Sequence, residues 1–292
     1  MKVVIHGKPF AETAGPFIQG MFDELEARKI GVFISAGFEK ILRESGIRFT
    51  ATRIFENPAE LSGARLVVSL GGDGTLLETV ALIGPRQIPV IGVNVGRLGF
   101  LATVAPERIK DMILALETGN YRIETRSILE AEANNMEIFG GVNFALNDFA
   151  ITKTDTSSMI TVHSYLNGVF LNSYWADGLI VSTPTGSTGY SLSCGGPVLV
   201  PNSKSLIVTP VSPHNLNVRP LVVEDSSVLS FEVKSRSNNF LLSLDSRSDI
   251  VDESTRLVVR KAGFVARLIK MRDDNFFDTL RNKLSWGLDM RN

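Results

Sequence analysis

Val67-Val68-Ser69-Leu70-Gly71-Gly72-Asp73-Gly74-Thr75-Leu76-Leu77 reads as an apolar strand, a glycine-rich turn holding one acid, and the start of a helix. The glycines around Asp73 let the backbone turn sharply and come close to a ligand. A turn that opens a helix leaves backbone N–H groups unpaired, and the helix dipole favours negative charge there. Gly72 and Gly74 therefore flank a seat for phosphate. An acid in such a seat needs its own reason. Asp73 either holds a divalent cation or takes a proton from a hydroxyl that attacks the phosphate; the plain alternative is a tight turn in which Asp bonds its own backbone. The stretch is not a P-loop, since no Gly-Lys-Thr/Ser follows, and its glycines are not spaced Gly-x-Gly-x-x-Gly.

The sequence before and after this stretch alternates strand and helix. Val3 to His6, Val32 to Ile34, Arg65 to Leu70 and Pro89 to Val93 are apolar strands. Phe17, Ile18, Met21, Phe22 and Leu25 share one helix face; Phe38, Ile41 and Leu42 share another, stopped near Gly46. Strands apolar throughout are those of a parallel sheet covered on both sides. Ligands of such sheets bind beyond the carboxyl ends of the strands, where the Asp73 turn falls. The next strand ends in Asn94-Val95-Gly96-Arg97-Leu98-Gly99-Phe100, a second glycine turn; its Arg97 either faces phosphate or is simply solvated. Pro106 to Leu116 predicts one more helix, closed by Gly119.

After residue 120 short strands follow one another, with Asn167-Gly168 as a hairpin turn, and Phe276 to Trp286 returns to helix. The fold class is therefore an α/β N-terminal domain with a parallel sheet, then a β-sandwich-like domain, then a C-terminal helix. The predicted division is 1–102, completed by 272–292, against 103–271.

Within the β region, Asp177 to Ser193 stands out. A strand runs into eight hydroxyl side chains, Tyr190 included, between Ser182 and Ser193. Neutral donors and acceptors with one flat ring suit a ribose, an amide or a base edge, and Tyr190 offers a face for stacking. The plain alternative is a Ser/Thr-rich loop that caps its own helix. Asn147-Asp148 interrupts an apolar strand, so a polar group is buried and needs partners, either ligand hydroxyls or a structural network.

The 292 residues suffice for two domains; they are 44% hydrophobic and 21% charged, an ordinary globular composition. A net charge of −1 gives no sign of nucleic acid or an anionic membrane as partner, and no apolar run reaches the length of a membrane span. The single cysteine, Cys194, excludes an intrachain disulfide and a cysteine-rich zinc site and points to a cytoplasmic protein. His6, His163 and His214 show no metal spacing, and Gly186-Ser187-Thr188-Gly189 is no nucleophile elbow.

With these residues in view, the chain resembles the NAD kinase family almost end to end. Gly71 to Thr75 matches a glycine motif shared with lipid kinases and phosphofructokinases. The discriminating matches are Asn94 to Leu101, Asn147-Asp148 (usually Asn-Glu) and Asp177 through Ser193, with Gly195-Gly196-Pro197, Thr209-Pro210, Pro213-His214, Arg219-Pro220 and the closing Phe276 to Leu284. The resemblance implies transfer of the γ-phosphoryl group of ATP to the adenosine 2′-hydroxyl of NAD, with Mg²⁺ bridging the phosphates. It implies Asp73 as the base or orienting acid with Gly72 and Gly74 beside it. Asn147 and Asp148 would hold the ribose hydroxyls. Asp177 and the loop bearing Thr185, Thr188, Gly189, Tyr190, Ser191 and Ser193 would contact the two ends of a folded NAD, bound between domains. It also implies a homodimer or homotetramer. Gly189 and Cys194 stand where alanines are usual, and Asp245-Ser246-Arg247 where Asp-Gly-Gln is usual. The guanidinium of Arg247 invites the expectation that it reaches a ligand phosphate. Two other readings are a lipid or small-alcohol kinase, which the hydroxyl-rich stretch disfavours, and a non-catalytic NADP sensor, which the retained Asp73 disfavours.

Overall fold

In the computed structural model, which describes residues 1–286 apart from Arg97, Leu98, Asn135 and Ser157, the chain forms two units, Met1–Thr125 with Arg267–Asn292 and Arg126–Ala266. The reading given to Arg97, and residues 287–292 of the tail, lie outside the described residues.

The first unit is built on β1 (Lys2–Gly7), α1 (Gly15–Ala27), β2 (Gly31–Ser35), α2 (Ala36–Glu44), β3 (Arg53–Phe55), β4 (Leu66–Leu70), α3 (Asp73–Ile83), β5 (Val90–Val93) and α4 (Ile109–Thr118). The strands lie parallel in the order β5-β4-β1-β2-β3. All five residues of β4 are buried, as the unbroken apolar run requires. Sequence order reverses between β1 and β4, so the switch point of the sheet lies at the carboxyl ends Gly7 and Leu70. The Asp73 turn follows directly. Residues 103–125 belong to this unit, whereas the predicted division stood at residue 102. The reason is α4: Ile109, Met112, Ile113 and Leu116 enter the same core as Ile18, Met21 and Leu25 of α1. Gly119, at φ 76°, closes α4.

The chain passes into the second unit within β6 (Tyr121–Ala133). There follow β7 (Phe144–Ala145), β8 (Asp148–Thr152), β9 (Ile160–Leu166), β10 (Val169–Ala176), β11 (Gly178–Ser182), the single turn α5 (Tyr190–Ser193), β12 (Ser205–Val211), β13 (Leu221–Glu224), β14 (Leu229–Lys234), β15 (Asn239–Leu244), β16 (Arg247–Asp252) and the long β17 (Arg256–Met271). One sheet is antiparallel throughout, β13-β12-β11-β8-β15-β16. Strands β10, β9, β14 and the first half of β17 pair antiparallel in the other. Alternate residues of both enter one core, where Phe149 of β8 stacks on Phe231 of β14 at 6.3 Å between centroids. The far end of β17 returns the chain to the first unit, parallel to β5 at Leu268–Val90, and leads to α6 (Phe276–Leu284), N-capped by Asn275. Among the described residues no helix is long and apolar enough to cross a membrane.

Candidate functional site

In the first unit, the candidate residue is Asp73 and its seat. Gly72 is the N-cap of α3 and Asp73 its first residue, two positions before the start at Thr75 that the sequence suggests. The Asp73 carboxylate does not bond its own turn. It reaches across to the backbone beyond β5, where the N–H of Phe100 donates to Oδ2 at 2.7 Å and those of Leu101 and Ala102 donate to Oδ1, each at 3.0 Å. Three consecutive N–H groups thus fix both oxygens. A carboxylate offers about four acceptor positions. Oδ1 uses two and Oδ2 uses one, so Oδ2 keeps one for a further proton. Gly74 is exposed and has open space where a Cβ would stand, so its lack of a side chain is not demanded by packing.

In the second unit, the candidate residues lie where β8 begins. The apolar strand that Asn147-Asp148 interrupts is divided into β7 and β8, and the backbone between them is held by Asp245. Its Oδ2 accepts from Leu146 N at 2.9 Å, and Oδ1 from Asn147 N at 2.8 Å and Asp148 N at 3.3 Å. A single buried carboxylate therefore orients the Asn147-Asp148 pair. Burial pushes the Asp245 carboxyl up, against the downward pull of the three N–H groups and of Arg247. Asp148 is itself buried, and burial first, then the charge of Asp245, pushes its carboxyl up to about 7 against the pull of the Tyr190 N–H. The Asn147 side-chain oxygen is buried without a hydrogen-bond partner among the described residues, as is the Thr185 hydroxyl. Buried polar atoms seldom stay unpaired, so both are candidates for contact with a ligand.

The loop after β11 packs onto this pair. Thr183 N donates to Asn147 O at 2.9 Å, and a Cβ on Gly186 would come within 2.1 Å of that same oxygen, so only glycine fits. Gly189 lies beside both side chains: a Cβ there would be 3.5 Å from Asn147 Nδ2 and from Asp148 Oδ2. Four of the eight hydroxyls hold the loop in place. Thr183 bonds Leu146 O, Ser187 bonds Pro184 O and receives Leu199 N, Thr188 bonds Thr185 O, and Ser191 pairs with Thr209. Ser191 is thus buried structure, while Tyr190 and Ser193 are exposed. The four are bonded within the protein, though none caps a helix, and Thr185, Tyr190 and Ser193, with Gly189, are left for a ligand.

Asp177 lies along the strand from Asp148, yet its charge reaches Tyr190: burial first, then Cys194, Asp148 and Asp177, push that phenol up. Asp177 precedes β11 while Ser182, opposite Asp148, ends it. Five residues at ~3.3 Å each put about 17 Å between them. There Asp177 pairs with Lys153 at 2.6 Å. The Arg247 guanidinium donates to the carbonyls of Val142 and Phe144 and covers the rings of Phe139 and Phe144. It is a cross-brace for the segment before β8 and spends its donors on backbone. Two functional features escape sequence reading altogether, the N–H triplet that seats Asp73 and the clamp made by Asp245.

A helix N-terminus beside a seated carboxylate, and a second unit with a buried acid and open acceptors, are features of a nucleotide-dependent phosphotransferase. Comparison with known proteins narrows the class. The ATP-NAD kinase N-terminal domain matches residues 25–121 and the ATP-NAD kinase C-terminal domain residues 146–271. An NAD kinase of Cytophaga hutchinsonii is 48% identical over 100% of both chains, and one of Bacteroides fragilis 41% identical over 100% of both. Among solved structures, a yeast NADH kinase complexed with NADH gives a TM-score of 0.88 at 23% identity, covering 100% of this chain and 89% of that one. An NAD kinase from Archaeoglobus fulgidus in complex with ATP gives 0.74 at 24%, covering 98% of each; both likenesses bear on the fold. The chain belongs to the NAD kinase family.

Proposed function

We propose that Asp73 and the Asn147-Asp148 pair carry the family reaction, ATP-dependent phosphorylation of the 2′-hydroxyl of the adenosine ribose of NAD. The products are NADP and ADP. The observation that supports these roles best is the seating of Asp73: three backbone donors orient it and one acceptor position on Oδ2 stays open. As the 2′-oxygen bonds to the γ-phosphorus and the bond from that phosphorus to the bridging oxygen breaks, the hydroxyl proton passes to Oδ2. The N–H groups of the first turn of α3, with Gly72 and Gly74, stabilise the phosphoryl charge. Asn147 Oδ1 and the Asp148 carboxyl bind ribose hydroxyls, and Thr185 and Gly189 line the same place. Thr188 and Ser191 keep the loop in shape, while Tyr190 and Ser193 supply its outer contacts. Asp177, whose charge reaches Tyr190, serves the other end of a folded NAD.

Among the described residues no group of three or more His, Cys, Asp or Glu side chains stands ready for a metal, and Asp73 commits three acceptor positions to N–H groups. These residues do not make a resident cation site. Mg²⁺ belongs to the MgATP substrate in this reading. The lone thiol, Cys194, fits a cytoplasmic setting. A homodimer or homotetramer is supported by β10, a sheet edge with Phe170 57% and Trp175 52% exposed. Purified protein given MgATP and NAD should form NADP. Phosphorylation of a lipid alcohol, with no NADP from ATP or polyphosphate, would overturn the reading.

A further inference from the structure

The N–H groups that hold Asp73 are themselves held. Lys270, near the end of β17, is only 6% exposed, an unusual place for an ammonium group. Its Nζ donates to Leu101 O at 3.1 Å and to Thr103 Oγ1 at 3.3 Å. Thr103 Oγ1 in turn donates to Asp274 Oδ2 at 2.8 Å. Leu101 O and the Ala102 N–H are the two ends of one peptide group, and that N–H donates to Asp73 Oδ1. A buried cation, one planar peptide and the carboxylate thus stand in series: Nζ–H to O=C, then N–H to Oδ1. The peptide is rigid through resonance. A cation on its oxygen draws density from its nitrogen and strengthens the N–H as a donor. Burying an ammonium is costly, and an apolar side chain of like length would fill the same space at less cost.

We propose that Lys270 is a positioning residue for catalysis, which orients and polarises the 101–102 peptide and through it fixes Asp73. The inference rests on Asp73 being the proton acceptor. Removing the charge leaves the N–H in place but weaker and less confined. Asp73 then samples orientations in which Oδ2 no longer meets the incoming hydroxyl. Ground-state binding of NAD is untouched, because Lys270 meets no part of the ribose-binding pair.

Lys270→Met removes donor and charge; Lys270→Gln keeps a donor and loses the charge, and serves if the Met variant does not fold. For either, kcat at saturating MgATP and NAD should fall roughly ten- to a hundredfold, the usual scale for groups that orient a functional ligand through hydrogen bonds. Gln should be the milder, and KM for NAD should hold. The Ala102 amide proton should shift upfield while that of Phe100, which bonds the other oxygen, stays in place. Added to Asp73→Asn, either change should lower turnover no further. Normal kcat in both Lys270 variants, beside a crippled Asp73→Asn, would overturn the inference and leave the reading of Asp73 standing. Losses that multiply in the double variant, or an unmoved Ala102 amide, would also overturn it. Normal turnover of Asp73→Asn itself would instead remove the reading on which the inference rests.

Discussion

Asp73 Oδ1 occupies the space where a Cβ on Gly99 would stand; the two would be 1.8 Å apart. The glycine turn after β4 and the glycine turn after β5 are therefore one construction. The first supplies the carboxylate and the second supplies the room and the N–H groups that receive it.

Gly99→Ala should push Asp73 out of its seat without touching the ribose-binding pair. A misplacement of about 1 Å at a reacting group costs on the order of a hundredfold in rate. Steady-state kinetics should show kcat down by that scale and KM for NAD little changed. Unaltered kcat would mean that the seated Asp73 is not the reactive arrangement.

Thr185→Val exchanges a buried, unpartnered hydroxyl for a methyl group of the same shape. If the hydroxyl waits for NAD, the variant should be as stable as the parent or more so, while NAD binding weakens by roughly 1–3 kcal/mol. Calorimetry and thermal unfolding together decide: lower stability with unchanged affinity would make Thr185 structural.

The alternation of strand and helix around Asp73 is legible because parallel strands are apolar throughout and their helices carry one apolar face. Asn167-Gly168 is legible because only such residues accept φ of 51° and 80° in succession. β13 and β16 go unseen: each edges the sheet and buries almost nothing, β13 leaving three of four residues exposed and β16 burying only Val251, so no run of alternating apolar residues marks either. β17 reads as two strands because Lys261 and Gly263, exposed in its middle, imitate a turn. Asp73 announces itself through its glycines. Its seat does not, since backbone N–H groups 27 to 29 residues away have no letter of their own. The hydroxyl stretch is ambiguous for a related reason. Ser187 holds its loop and Thr185 is left open, yet nothing in the residue types tells one from the other.

The Asp148 carboxyl, at about 7, gives stability a pH dependence. In the unfolded chain the group titrates near 3.9, so the folded protein binds this proton more tightly. The contribution is full below about 4 and is lost as pH rises through about 7. Asp148→Asn lacks it, and Asp245 remains in both proteins. From pH 4 to 8 the melting temperature of the parent should therefore fall relative to that of the variant. A difference independent of pH would show that Asp148 is not held protonated by its surroundings.

Arg247→Gln restores the residue usual in the family at the cost of two charged hydrogen bonds to Val142 and Phe144. Such bonds contribute roughly 1.5–3 kcal/mol each, so the variant should melt lower. The salt dependence of NADP affinity should stay as it was. An unchanged melting temperature with a weaker salt dependence would return Arg247 to the ligand.

The central claim is that Asp73 Oδ2 takes the hydroxyl proton. Asp73→Asn keeps the size of the side chain and part of its hydrogen bonding but cannot accept that proton. A positioned general base is worth about 10²–10⁴-fold in rate. Turnover of Asp73→Asn, measured across a Mg²⁺ titration with NAD binding followed by calorimetry, tests the claim most directly. The account predicts a fall in kcat of that size at every Mg²⁺ concentration, with NAD affinity and thermal stability retained. Recovery at high Mg²⁺ would make Asp73 a cation ligand, and near-normal turnover throughout would contradict any role for it in the reaction.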